Sequence, residues 1–417
     1  MENEVLKFYS RKDIQKEMLR VAKNREVAVQ YSDKGFGKRP DILQFPGDIL
    51  DLVRSGATSF HISEERWTDP LQLKPGMTKK QLDDLRSGWD LIIDIDCKDL
   101  EYSKIAANLI IQALEFHNVR NVSVKFSGNK GLHIAVPFEA FPEKVEDKPT
   151  RLLFPDGPKI IALYLGNMIK ERLAAEFLNY AGSIENLAKN FEKEPKNLEE
   201  YICPTHRIAL ISKTKQDLGL VCPKCGGSDY VEFRGGIYAC SKCPNTLMNK
   251  TGKGINMQMM ECPICKKREY ETRFNPFAIL SIDTVLISNR HMFRMPYSYH
   301  EKSGLISIPI RKEDVLNFKR EWAKMENVKI ENDFLNLEKE SDASQLIVES
   351  FDWWTKMEKN KPEKKEGGER EYEELKEAIA EENFPPCIKL LAKGVSQDGR
   401  KRALFILINF LQNVGWD

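Results

Sequence analysis

Apolar residues recur with two different periods along this chain, and the switches between them mark out its elements. Near the start, Ile14, Met18, Leu19, Val21 and Ala22 fall among charged positions at helical spacing, which predicts an amphipathic helix followed by a strand over 27–31. A short helix is expected over 49–53, a strand from 57 that turns polar by 67, and a connecting loop with a short helix over 71–89. Residues 91–95 form a brief apolar run of strong strand formers. Ile105, Ala106, Leu109, Ile110, Ala113 and Leu114 predict a helix over 104–117, and alternation returns over 122–126 and 132–136. Strand, helix and strand therefore follow one another as a βαβ-like unit. A long helix is expected over 157–193, carried by Ile160, Ile161, Leu163, Leu165, Met168, Ile169, Leu173 and Phe177. Strand-like patterning returns over 281–310, then a helix over 312–324, a stretch of Lys, Glu and Gly over 355–370, and a helical piece over 385–417. The order predicts an α/β (α+β) fold with mixed sheets flanked by helices, and no fixed-period repeat.

Composition narrows the class. At 417 residues the chain is long enough for two or three domains, and it is 41% hydrophobic and 30% charged. Sixty-four Lys and Arg against 63 Asp and Glu exclude a global basic field, so any nucleic-acid surface must be local, with acidic residues segregated elsewhere. No apolar run approaches the ~20 residues that span a bilayer. The opening Met1-Glu2-Asn3-Glu4 is not a signal peptide, so a cytoplasmic protein with no membrane partner is expected. Nine cysteines, six of them in three Cys-x-x-Cys pairs, point to metal in a reducing compartment and away from a disulfide framework.

Two stretches carry candidate chemistry. In a strand over 91–95, Asp94 and Asp96 project from one face. Carboxylates about 6–7 Å apart along a strand repel unless a cation lies between them, and hard oxygen ligands suit Mg²⁺ or Mn²⁺. The plainer alternative is a strand end whose aspartates cap a loop. The second stretch is Ser127-Gly128-Asn129-Lys130-Gly131-Leu132-His133, where two glycines permit close backbone approach, Lys130 brings charge and His133 a donor. Alone it also fits an ordinary β-turn. A basic turn around Gly35 and Gly37 could approach phosphates but fits a solvated loop better, and His61 reads as a structural histidine.

The remaining ligands come in pairs: Cys203 with His206, Cys222 with Cys225, Cys240 with Cys243, and Cys262 with Cys265. Two intervening residues let both members of a pair reach one tetrahedral ion, so four pairs predict two structural Zn²⁺ sites. The inner pairs, with Gly226-Gly227 after the first and a hairpin-like stretch between them (Tyr230, Val231, Phe233, Tyr238), read as a zinc ribbon. The outer pairs would close around its base. For these the alternative is a surface His206 and a buried Cys203 thiol.

With these pieces placed, the sequence resembles the archaeo-eukaryotic primase superfamily, which includes the small catalytic subunit of DNA primase. Asp94-Ile95-Asp96 resembles its metal-binding pair, and Ser127 to His133 its nucleotide-binding motif. Asp283, followed by His291, Arg294, Pro296, Ser298, His300, Lys302 and Gly304, resembles its third region. The resemblance implies a primase-type catalytic core over 1–200 and 270–350, with a zinc segment inserted over 201–269 and a charged linker or helix over 355–383. It implies template-directed nucleotidyl transfer that makes primers on single-stranded DNA from NTPs or dNTPs. Asp94, Asp96 and Asp283 would hold two Mg²⁺ or Mn²⁺ ions. Ser127, Lys130, His133, Arg294, His300 and Lys302 would bind the triphosphate, and the ribbon would grip template or initiating nucleotide. Two alternatives remain: a primer-extending or gap-filling polymerase of the same superfamily, or a non-catalytic zinc-ribbon nucleic-acid-binding protein. The ordinary small subunit carries one zinc motif between its first two motifs. Here Ser127 follows Asp96 by only 31 positions (127 − 96) and the cysteines come later, which implies a divergent, plasmid- or virus-type member. Finally, residues 384–389 with Cys387, and 399–405, resemble the opening of the primase large-subunit iron–sulfur domain. With one such cysteine no cluster can form, so the expectation is a chain continuing past Asp417 or a large-subunit-like partner.

Overall fold

The element that organises the fold is the strand Leu91–Cys97, whose Ile93, Ile95 and Cys97 alternate with Ile92, Asp94 and Asp96. In the computed structural model, which describes residues 2–32, 35–226, 228–232, 240–244, 246–250, 255–282, 288–336, 341–359, 379–394, 400–414 and 416, it lies inside a five-stranded sheet. The order is Leu280–Ile282, Leu91–Cys97, Leu132–Val136, Ser123–Phe126, Pro309–Ile310, with every neighbour antiparallel. The strand–helix–strand unit expected from the sequence is present. Leu91–Cys97 and Ser123–Phe126 run parallel, joined by the helix Leu100–Phe116, and Leu132–Val136 is threaded between them. The helix begins where Asp99 accepts a hydrogen bond from the Glu101 N–H at 3.0 Å. It packs on the long helix Asp156–Ala181, and both cover the strand Leu91–Cys97.

A second, four-stranded antiparallel sheet runs Met292–Arg294, Ser59–Ser63, Val27–Tyr31, Gly35–Phe36. It meets the central sheet through Phe293, whose ring lies 6.1 Å from that of His133 and 5.7 Å from the Lys125 ammonium. The two sheets and their helices share one core. At their junction the buried Asp90 carboxylate is gripped by Arg25 and Arg66 and accepts the Phe138 N–H at 2.9 Å. Burial works to push this carboxyl up, and the two guanidiniums together hold it below its ordinary value.

The chain divides into two compact units, Met1–Asn360 and Lys361–Asp417. In the second, the helices Pro386–Ala392 and Arg400–Asn413 share a small cluster around Phe384, Ile388 and Val414.

Two helix expectations differ from what forms. The long helix ends at Ala181, because Gly182 turns left-handed (φ 81°) and Ser183 caps a new helix, Ile184–Asn190, accepting from the Asn186 N–H at 3.2 Å. Over 312–324 there is no α-helix but short 3₁₀ turns, Lys312–Asp314 and Arg320–Ala323. Val315, Phe318 and Ala323 are buried in the main core, and the Phe318 carbonyl accepts from Lys104 Nζ at 3.2 Å. Tertiary anchors at irregular spacing override helical propensity there.

The cysteine-rich segment stands on a two-stranded stalk, Glu199–Ile202 with Glu271–Phe274. Glu200 fixes the stalk, accepting from Arg273 at 2.6 Å and from Lys170 of the long helix at 2.7 Å. Beyond it, Ile211–Val221 pairs with Ile255–Glu261 and Ser228–Glu232. At about 3.3 Å per residue this strand reaches roughly 35 Å.

Candidate active site and metal centres

Cross-strand register decides which polar groups meet. Asp94 is paired with His133, and His133 with Lys125, so the three stand in a row across one face of the central sheet. Asp96 joins that face two residues along. Asp94 Oδ1 lies 3.4 Å from His133 Nε2, half-buried, whereas Asp96 is exposed. Ile282 pairs with Ile95 at the sheet edge. Asp283, the expected third carboxylate, lies outside the described residues.

The Ser127–His133 loop folds back onto the aspartates. Ser127 N–H donates to the Gly131 carbonyl at 3.0 Å, and the Ser127 hydroxyl oxygen accepts from the N–H groups of Gly131 (3.1 Å) and Asn129 (3.4 Å). The hydroxyl proton is not used in these two bonds. Gly131 is required by proximity: a Cβ there would sit 2.6 Å from the Ile95 carbonyl oxygen and 2.9 Å from Asp96 Oδ1. At Gly128 the backbone is left-handed (φ 100°) and a Cβ would sit 2.9 Å from that of His300. The loop thus touches the acidic pair at one glycine and His300 at the other. Ser303 donates to the Gly128 carbonyl and ties the Tyr299–Ile306 hairpin to it. The side chains of Lys130 and Lys302 are exposed.

Arg294 is paired in register with His61 on the second sheet. It donates to the Tyr299 carbonyl and faces Glu301 at 3.4 Å, and Glu301 also accepts from Thr58 at 2.8 Å and from Ser59. His291 Nδ1 lies 2.8 Å from the buried Glu64 carboxylate. His61 and Lys125 carried no signal in the sequence, yet they complete the cluster. Lys125 is fully buried, donates to Ser307 at 2.9 Å and lies over the rings of Phe293 and Phe334.

The electrostatics are one-sided. Burial, then Arg294, pushes His300 down to about 4. His61 and His133 are driven well below the ordinary histidine value by burial and then by Arg294 and Lys125, and burial lowers Lys125 far below its own. All three imidazoles have a buried Nδ1 with no hydrogen-bond partner among the described residues. Burial with Arg294 and Lys125 nearby thus holds these rings in the neutral form, His133 directly beside the Asp94 carboxylate.

A pH consequence follows. Below the ordinary histidine value of 6.5 the unfolded chain takes up a proton at His300 that the folded protein refuses until about 4. Stability therefore falls as pH drops through that window. We expect the urea midpoint of His300→Gln to fall less than the wild type's between neutral pH and the lower end of the window.

Both cysteine groups assemble as expected. Cys203, His206, Cys262 and Cys265 bring their ligand atoms within 4.8 Å of one another, and so do Cys222, Cys225, Cys240 and Cys243. Cys203 Sγ is 3.6 Å from His206 Nδ1 and 3.8 Å from Cys265 Sγ, and Cys225 and Cys240 are 3.8 Å apart. A tetrahedral ion with bonds of about 2.3 Å demands edges of about 3.8 Å. The donor sets could bind zinc, and they sit at opposite ends of the Ile211–Val221 ladder. Phe233 and Tyr238 of the expected ribbon lie outside the described residues.

No family model matches this chain. An uncharacterized protein of Methanocaldococcus jannaschii is 23% identical over 142 residues, 34% of this chain, and the match spans 30% of that relative's length. Among solved structures, the polymerase domain of Mycobacterium tuberculosis Ligase D, in complex with DNA, superposes with a TM-score of 0.38 at 11% identity, covering 78% of this chain and 86% of that one. No helix among the described residues is long and apolar enough to cross a membrane.

Proposed function

We propose that this chain is a template-directed nucleotidyltransferase that makes primers on single-stranded DNA, a primase-polymerase. The observation that carries the proposal is the convergence of the Ser127–His133 loop on Asp94 and Asp96, with Gly131 against the Asp96 carboxylate and His133 at 3.4 Å from Asp94. That is the geometry expected if the motifs act as one site. Asp94, Asp96 and Asp283 would hold the two Mg²⁺ or Mn²⁺ ions. When bound, such ions lower the pKa of the attacking 3′-hydroxyl and stabilise charge on the departing pyrophosphate.

The chain's own groups have separable parts. His133 Nε2 faces Asp94, and burial keeps the ring neutral, so its one N–H would serve either Asp94 or a phosphate oxygen. Ser127 offers its hydroxyl proton from a loop already braced by its oxygen. His300 lies against the loop at Gly128 with Arg294 near it, and the exposed Lys130 and Lys302 would add positive charge where negative charge develops. The two cysteine sites, closed by four ligands each, are structural zinc centres in this scheme.

Labelled nucleotides, an unprimed single-stranded template and Mg²⁺ or Mn²⁺ test the proposal, with products resolved by length. Dinucleotides and longer products without primer are expected, and products only when a primer is supplied would replace priming by extension. His300→Ala should raise the apparent KM for nucleotide about ten-fold with little change in template affinity. The reverse pattern would move His300 to a strand-binding groove.

A further inference from the structure

Positive charge is concentrated in the zinc segment. Residues 203–270 hold 11 Lys and Arg against 5 Asp and Glu, while the remainder of the chain holds 53 against 58. Two zinc ions on seven thiolates would add a net −3, leaving the segment positive in a molecule otherwise acidic. At the base of the segment two large aromatic side chains stand exposed: Tyr201, 38% accessible, and Tyr270, 56%, with ring centres 4.8 Å apart. Tyr201 lies on the stalk strand that leads into Cys203, and Tyr270 directly precedes the returning strand. Between Cys265 and Tyr270 run Lys266, Lys267 and Arg268, all exposed, and Arg207 projects from the facing zinc loop. Glu269 and Glu271 temper this charge, Glu271 lying 3.6 Å from Arg207.

We propose that Tyr201 and Tyr270, flanked by Lys266, Lys267, Arg268 and Arg207, form a binding platform for single-stranded nucleic acid outside the active site. Bases stack on the tyrosine rings and the cations meet the phosphates. Aromatic faces accept any base, so binding is sequence-tolerant and salt-sensitive. Neither tyrosine belongs to a hydrophobic core cluster. The outer zinc site sets the platform's geometry by fixing the two loops from which the cations project. Only the identity of the strand as template rests on the proposed polymerase function; the platform itself does not.

The test is fluorescence anisotropy of a labelled oligothymidylate with the full chain. Tyr201→Ala/Tyr270→Ala should weaken binding at least about ten-fold while zinc content stays unchanged. The pair Tyr201→Phe/Tyr270→Phe should retain it. Lys267→Glu/Arg268→Glu, two exposed positions that the fold does not need, should weaken binding and reduce the slope of log affinity against log salt by roughly 2. Wild-type affinity in both the alanine and the charge-reversed variants would overturn the proposal. Loss of strand binding in a chain that incorporates no nucleotide would uphold the platform and reject the polymerase. Active synthesis with unaltered strand binding in the variants would do the opposite.

Discussion

Replacing Asp96 by alanine is expected to abolish nucleotide incorporation and leave the fold in place. Asp96 is exposed, beside Gly131, on a strand whose backbone pairing with Ser281 does not depend on its side chain. Surface changes of this kind usually move stability by no more than about 0.5 kcal/mol. In the proposed site the same carboxylate is a metal ligand, and its loss removes stabilisation aimed at the transition state. The expected drop in turnover is on the order of a thousand-fold or more, with an unchanged urea midpoint. Asp283→Ala is expected to do the same. Turnover at the wild-type rate in Asp96→Ala would remove that residue from the chemistry.

Cys262→Ser is expected to take the zinc content from two ions per chain to one and to unfold the base of the inserted segment. Cys262 is fully buried, and its sulfur lies 3.6 Å from His206 Nδ1. Structural zinc contributes about 10–16 kcal/mol of apparent binding energy in small domains, and an oxygen in place of one thiolate forfeits much of it. Cys222→Ser should lose the other ion alone, because the two groups close opposite ends of one ladder. Elemental analysis and proteolysis of the segment read both outcomes. A single ion in the wild type would mean that Cys203, His206, Cys262 and Cys265 do not bind zinc.

Much of this was legible because the chemistry is local. Asp94 and Asp96 share a face by strand alternation, and the spacing of the cysteine pairs foretold which ligands come together. The pairing of Asp94 with His133 was not local: Leu132–Val136 lies between Leu91–Cys97 and Ser123–Phe126, a strand order the periodicity does not encode. What could not be read came from tertiary placement. Lys125 was not singled out in its alternating strand, yet both faces of that strand are buried and its side chain lies against the rings of Phe293 and Phe334. His61 was one histidine among apolar residues until the second sheet set it opposite Arg294. The break at Gly182-Ser183 carried a legible stop-and-cap signal, whereas the 3₁₀ turns after Lys312 depend on a contact with Lys104 that no local pattern encodes.

The central claim is that the loop and the aspartates form one template-directed site. Pyrophosphate release and chain growth, followed together on homopolymer templates, test it most directly. On oligothymidylate we expect incorporation of adenine nucleotides only, one pyrophosphate per residue added, dependence on Mg²⁺ or Mn²⁺, and loss of both signals in Asp96→Ala. Absence of pyrophosphate release by the wild type under these conditions, or incorporation indifferent to the template base or to Asp96, would contradict it.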